Sequence, residues 1–562
     1  MTRFLQALLL ILLGFFLLYP IAYVVPSSAL EGDTWTGYYY GLLWRDEMIR
    51  RCMVTSLGLA CATTVGTTVV ALPLAYVQTR RRLTGSSVIT SLVLVPLVLP
   101  PFVGALGLER FLGPYGTLNL LCMHVGLLAP ERPIDWLSGA GFWGVLFLQV
   151  LHLYPIMYLN VAAALANVDP VLEDAARNLG AGEWRVFRTV TLPLLLPGYF
   201  AGASLVFVWA FTDLGTPLVF NYSQTLSVQV FNHISDRETN PLGYALVVTA
   251  LVITAVLFVL GRWLLGRRSY ATVSRGAAAG MERRLSVKAT VAVWSAFLLL
   301  TALALLPHLG VLLMASTSYW GLTAWPTHIS GDAFRMVFSE PVAYRSIVNS
   351  LTYSCASTLL DLVCGLAIAW LAVRKKDVLS RLLDALAMIP LALPGLVLAF
   401  GYLTCYQRLP LFGLERWLDP AKSPTLLLIV AYAVRRLPYM TRAAVAGLEQ
   451  TPVVLEEAAA NLGAGRWRIV RTVTLPLLAA NLLAGAIFTF AFALLEVSDS
   501  LMLAQQEAYF PITRAIFGFW LRPDDGPYVA SAMGVLGMIL LGVSLAAAGL
   551  ILGRKMGELF KA

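Results

Sequence analysis

Ionisable residues stand inside otherwise apolar runs of this chain, and they do so in pairs. Asp213 and Glu496 lie 283 residues apart, as do His152 and Arg435, with Arg436 beside the latter. A charge in a hydrocarbon-facing segment is costly, so such residues are functional hypotheses by default. Two kinds of chemistry fit them. An acid and a base on adjacent helices can line a polar pathway, or, desolvated, they can fix the bundle as a buried ion pair. The shared spacing agrees with both. Asp361 is a lone acid of the same kind, for which helix packing or nearness to the membrane boundary accounts.

Other chemistry has no residues to carry it. No G-x-x-x-x-G-K-[ST] run occurs, so the chain brings no phosphate-cradling loop of its own. Neither HExxH nor GxSxG is present. The cysteines (Cys52, Cys61, Cys122, Cys355, Cys364, Cys405) include no CxxC pair, and most sit in apolar runs as small buried hydrophobes rather than disulfide or metal partners. No metal site and no cofactor is expected.

The elements that must position these residues are membrane helices. Of 562 residues, 59% are hydrophobic and only 13% charged, against roughly 25% charged in a soluble domain. The net charge of +9 could suggest nucleic acid, but the basic residues gather at the ends of apolar runs, as orientation in a lipid bilayer requires. Apolar runs predict spans near 5–25, 53–77, 86–108, 141–165, 194–220 and 243–265, then near 289–314, 349–372, 383–405, 424–447, 478–503 and 530–552. The first of these is long enough to span and lacks a convincing cleavage site, so it reads as a helix rather than a signal peptide. The expected fold is therefore an all-α polytopic membrane protein of about 12 transmembrane helices in two tandem six-helix halves.

The tandem arrangement is written most plainly in a polar segment. VLEDAARNLGAGEWRVFRTVTLPLL (171–195) recurs as VLEEAAANLGAGRWRIVRTVTLPLL (454–478), with 20 of 25 positions identical at an offset of 283. A further match, VPLVLPPFVGALG (95–107) with IPLALPGLVLAFG (389–401), runs at an offset of 294. The difference falls in the longer loop 109–140 of the first half. Six spans per half make the repeat parallel rather than inverted. Arg80-Arg81-Arg82, Arg267-Arg268, Arg283-Arg284, Arg374-Lys375-Lys376 and Arg554-Lys555 fall on one side, which the positive-inside rule makes cytoplasmic. Both termini and both repeated segments land there. The halves are expected at 1–265 and 289–562, joined by a basic, small-residue-rich cytoplasmic linker at 266–288. Pro96, Pro100, Pro390 and Pro394 sit inside predicted spans, where each removes a backbone donor.

Each repeated segment is capped at both ends. Asp169-Pro170 and Thr451-Pro452 supply an N-cap followed by Pro at the first helical position. Glu173-Asp174 and Glu456-Glu457 place acid in the first turn. Ala175-Ala176 and Ala458-Ala459 leave a smooth surface that another backbone can approach. Gly180 and Gly463 suit the left-handed position that ends a helix. The product is a short, rigid helix–turn–helix of docking character, at about 169–193 and 452–476.

These loops resemble the EAA loop of bacterial binding-protein-dependent ABC importer permeases: E-A-A, three residues, G, nine residues, I-x-L-P. The second copy has Glu457-Ala458-Ala459, Gly463 and Val473-Thr474-Leu475-Pro476. The first has Asp174-Ala175-Ala176, Gly180 and Val190-Thr191-Leu192-Pro193, so Asp replaces Glu once and Val replaces Ile twice. The resemblance implies that the short helices seat in grooves of two ATPase subunits, which bind the ATP, and that one chain replaces the usual permease dimer. It also implies an extracytoplasmic solute-binding protein and residence in the bacterial inner membrane. The fused form is most similar to ferric-iron and thiamine permeases, and FTDLGTPLVF (211–220) is similar to a stretch of the ferric type. Ferric iron is the solute this favours; thiamine, phosphonates and polyamines stay open. An ion-coupled secondary transporter would use Asp213 and Glu496 but leaves the duplicated docking loop unexplained.

Overall fold

A computed structural model describes residues 2–552 apart from 32–33, 84, 138–140, 235–240, 267–282, 408–412 and 414. Most of the expected linker at 266–288 lies outside the described residues. The helix before it runs Leu242–Gly266 and the one after it begins at Val287, with the Ser286 hydroxyl capping the Ala289 N–H.

Among the described residues, nine helices are long and apolar enough to cross a membrane, and two sharply bent pairs raise the count to 11. The remaining expected span is also helical, Thr425–Gln450; it carries Arg435, Arg436 and Arg442. All the predicted apolar stretches are thus helices, and the fold is all-α.

Two expectations about span shape are corrected. The stretches 86–108 and 383–405 are not continuous: each breaks at its prolines, with bends of 89° and 104°. Pro100 cannot donate to the Pro96 carbonyl and pushes Leu99 into an extended conformation (φ −108°, ψ 127°), so the helix stops and restarts at Pro101. The spans 194–220 and 478–503 also end early, at Thr212 and Leu494, and short helices Gly215–Val219 and Ser498–Leu503 follow. Not all cysteines are buried either: Cys61 and Cys355 face outward from their helices, where a lipid-facing surface accepts a small apolar side chain.

The two halves exchange their first helices. Thr2–Ser27 lies on the second half's broken span, where the Tyr402 and Tyr406 hydroxyls donate to the Phe16 and Phe15 carbonyls, both at 2.6 Å. Those carbonyls belong to a π-helical turn, Gly14–Leu18. In the mirrored contact, Val287–Ala315 crosses the first half's broken span so closely that a Cβ on Gly107 would strike the Pro307 carbonyl oxygen. Gly401, the repeat partner of Gly107, would meet the Pro20 side chain at 2.8 Å and its carbonyl oxygen at 3.2 Å. Glycine is required at both crossings because the backbones nearly touch. Each half therefore needs the other to bury its broken span.

Candidate functional site

The two repeated loops fold alike. The first forms a helix Pro170–Asn178, whose N-cap Asp169 accepts from the Val171 N–H at 2.9 Å. Gly180 then adopts φ +86°, and the Ala181 N–H reaches back to the Ala176 carbonyl at 3.1 Å, a six-residue closure that satisfies a terminal carbonyl. In the second copy the helix is Val453–Asn461, Gly463 has φ +84°, and Ala464 closes on Ala459 at 3.0 Å. The expected cap at Thr451 does not form. Its hydroxyl donates instead to the Gly447 carbonyl at 3.0 Å, finishing the preceding helix, and Pro452 occupies the N-cap position.

The acidic residues divide into two roles. Asp174 and Glu457 are exposed, beside exposed Leu179 and Leu462 (89% each). Glu173, by contrast, is 1% exposed. It accepts from Arg80 Nε at 3.1 Å and Thr191 Oγ1 at 2.8 Å, while Arg80 also donates to the Val168 carbonyl. Arg80 ends the second span and Thr191 leads into the fifth, so one carboxylate ties the docking helix to both. Glu456 repeats the arrangement with Arg374 at 3.1 Å and Thr474 at 3.4 Å, and Arg374 donates to the Thr451 carbonyl. After each glycine turn a second short helix, Glu183–Val186 or Arg466–Ile469, continues into the fifth span through a π-helical turn, Phe187–Thr191 or Val470–Thr474.

Deeper in the bundle the halves part company. In the second, Glu496 pairs with Arg435 at 2.6 Å and with Arg436, while Arg435 also reaches Asp499 at 3.5 Å. Glu496, Arg436 and Asp499 are buried, Asp499 completely, while Arg435 is partly exposed. In the first, Asp213 accepts from Gln149 Nε2 at 3.1 Å and caps the Thr216 N–H at 3.3 Å. Gln149 in turn accepts from Thr63 at 2.9 Å, a network without a second charge. His152 Nδ1 lies 3.2 Å from the Pro96 carbonyl, whose normal helical donor Pro100 lacks. Each broken span also borders a cavity. One is lined by Pro96, Pro100, His152 and Pro307 among others, and one by Pro390, Gly395, Arg435, Arg436 and Tyr439 together with Trp209 and Thr212 of the first half.

Comparison with known proteins decides what kind of molecule this is. The profile described as "Binding-protein-dependent transport system inner membrane component" matches residues 44–270 and again 362–558. The chain belongs to that family. Among relatives of this permease, the putative ferric transport system permease protein FbpB 1 of Haemophilus influenzae is 28% identical over 507 residues, covering 88% of this chain and 77% of the relative. The ferric transport system permease protein FbpB of Actinobacillus pleuropneumoniae is 27% identical over 546 residues, covering 95% of this chain and 76% of the relative. The molybdenum transport system permease protein ModB of H. influenzae is 29% identical over 223 residues, covering 38% of this chain and 93% of its own.

Of the permease's expected intramembrane pairs, the structure joins Arg435 to Glu496 but does not join His152 to Asp213. Asp361 is buried on the helix Pro341–Trp370, its Oδ2 without a hydrogen-bond partner among the described residues. Sequence reasoning passed over Asp499, although an acid inside the predicted span 478–503 meets the same test that singled out Glu496. It also passed over Arg80 and Arg374 as individuals, counting them only as orientation signals. Their offset of 294 matches the broken spans and was a usable sign of a paired role.

Proposed function

We propose that this permease carries ferric iron, delivered by an extracytoplasmic binding protein, across the bacterial inner membrane by alternating access. One observation carries the solute: the relatives named for ferric transport align across both halves, whereas the molybdenum relative spans a single half. Hydrolysis belongs to two separate ATPase subunits, which bind the ATP and seat the exposed faces of Pro170–Asn178 and Val453–Asn461. Asp174, Ala175, Ala176 and Gly180, with Glu457, Ala458, Ala459 and Gly463, form the docking surfaces. Glu173 and Glu456 bind each docking helix to the second and fifth spans. When the ATPases close, the loops are drawn together and the spans move with them, because breaking a buried, charge-assisted tie costs about 3–5 kcal/mol. In this reading both termini and both loops are cytoplasmic, and residues 1–265 and 289–562 act as the two halves of one permease. Uptake of radiolabelled ferric iron by cells carrying the chain with its ATPase and binding protein tests the proposal. Uptake that does not rise above that of cells lacking the chain would remove the solute assignment.

A further inference from the structure

The cavity between the halves sets polar donors among apolar side chains such as Val208, Leu391 and Leu393, with no carboxylate on its wall. Arg435, Arg436 and Tyr439 line it from the second half and Trp209 and Thr212 from the first. The carboxylates are not on that wall: both Glu496 oxygens are taken by the two guanidinium groups, and Asp499 lies buried behind Arg435. Arg436 is 7% exposed, and its Nε has no hydrogen-bond partner among the described residues. An unpaired guanidinium N–H in a dry bundle is expensive unless something arrives to accept from it. Gly395 keeps the site open, because a Cβ there would strike the Arg435 guanidinium. The first half offers no such wall, since the positions equivalent to Arg435, Arg436 and Tyr439 are His152, Leu153 and Ile156.

Arginine forks, a phenol and an indole are all donors. A bare polyvalent cation entering this cavity would meet two guanidinium groups and no carboxylate on its wall, the unpaired Asp499 Oδ1 being screened behind Arg435. An oxyanion would meet charge-assisted donors of the geometry that planar forks bind best. We propose that the cavity is an oxyanion-selective passage site, which takes a small oxyanion, free or held as a ligand of a metal ion, and rejects a bare cation. This deepens the transport reading and rests on it for the word passage, but the anion preference is measurable without any transport.

Trp209 supplies the probe. Its fluorescence is isolated as the difference between the wild-type chain and Trp209→Phe, each assembled with the ATPase subunits in lipid discs. Iodide should quench that component about fivefold more steeply than caesium, because the wall presents guanidinium groups while their carboxylate partners lie behind it. Arg436→Gln should bring the two quenchers to near parity. Inorganic phosphate and ferric citrate are then tried as protectants against iodide. Protection by phosphate identifies a free oxyanion as the occupant, and protection by ferric citrate alone identifies the metal-held form. Caesium equal to iodide in the wild type overturns the proposal, as does a preference that survives Arg436→Gln. Should that variant fail to assemble, the wild-type comparison of the two quenchers decides by itself. Failure of ferric uptake with the iodide preference intact would remove the metal and leave the site.

Discussion

Trp209 and Phe492 stand 283 residues apart at the same position of the two repeats, and their rings meet edge to face with centroids 6.4 Å apart. Equivalent residues of two related halves can touch only near the axis that relates them. The axis therefore passes between the two fifth spans, and the cavity lined by Arg435 and Arg436 lies beside it. Phe492 also stacks on Tyr439 at 5.9 Å and lies under the Arg436 guanidinium at 5.6 Å. The centre of the permease is thus pseudo-symmetric in its backbone and one-sided in its charge.

That one-sidedness separates Glu496 from its repeat partner. Glu496→Gln strips the counter-charge from the buried Arg436 guanidinium and leaves Arg435 with Asp499 alone, and should cost about 3–5 kcal/mol, seen as less folded chain in the membrane. Asp213→Asn leaves no cation stranded and should keep abundance within about 1 kcal/mol of wild type. Quantitative immunoblotting of membranes checks both. Equal losses would mean that the two halves share one structural logic after all.

The glycine turns should be intolerant without being essential to the bundle. Gly180→Val and Gly463→Val each force a β-branched residue into the left-handed region at a cost of about 1–2 kcal/mol, confined to the loop. Abundance should hold while uptake falls several-fold and ATP hydrolysis continues. Glu457→Lys should weaken recovery of the ATPase with the chain by reversing an exposed charge in the middle of the docking helix. Normal recovery and normal uptake in all three variants would remove the docking role.

Arg80→Ala and Arg374→Ala should resemble the glycine variants in activity for a different reason. Each releases a carboxylate that ties the docking helix to its spans. The ATPase should still bind, because the exposed faces are untouched, yet its hydrolysis should no longer drive uptake. Comparing ATPase retention with uptake rate tests this; loss of both in step would point to a misfolded loop.

Orientation is open to labelling. Cysteines placed at Ala181 and Ala464, on a chain otherwise freed of cysteine, should react with impermeant maleimides only from the cytoplasmic side. Reaction from outside intact cells would reverse the topology and detach the loops from any ATPase.

Acid should loosen the exchanged first helix. Ser380 donates to Asp377 at 2.6 Å, and Gln6 of the first half donates to both its oxygens at 2.8 and 3.0 Å. Those bonds, the Ser380 one foremost, hold the Asp377 carboxyl down at about 2, against about 3.9 in an unfolded chain. A depressed folded value stabilises above the unfolded one and is lost as pH falls toward the folded one, so the window is about pH 4 down to 2. The Tm difference between wild type and Asp377→Asn should persist near neutrality and close across that window. A difference independent of pH would show that the carboxylate charge is not what holds the helix.

Hydropathy and punctuation carried much of this protein in the linear chain. The helical stretches, the duplication, Asp169 as a cap and the left-handed glycines at 180 and 463 all follow from local rules, because each depends on neighbours within a turn or two of backbone. Partnership does not. Whether Arg435 meets Glu496 while His152 meets a proline carbonyl depends on how each helix is rotated about its axis, and apolar runs in lipid carry almost no signal of rotation. The break at Pro100 creates the carbonyl that His152 serves, so a local rule had a distant consequence that only packing reveals. Likewise the exchange of first helices, with Gly107 against Pro307 and Gly401 against Pro20, rests on the close approach of backbones far apart in sequence. Local chemistry determined what the elements are; the tertiary structure decided which charges are paired, which are buried, and where the halves leave room.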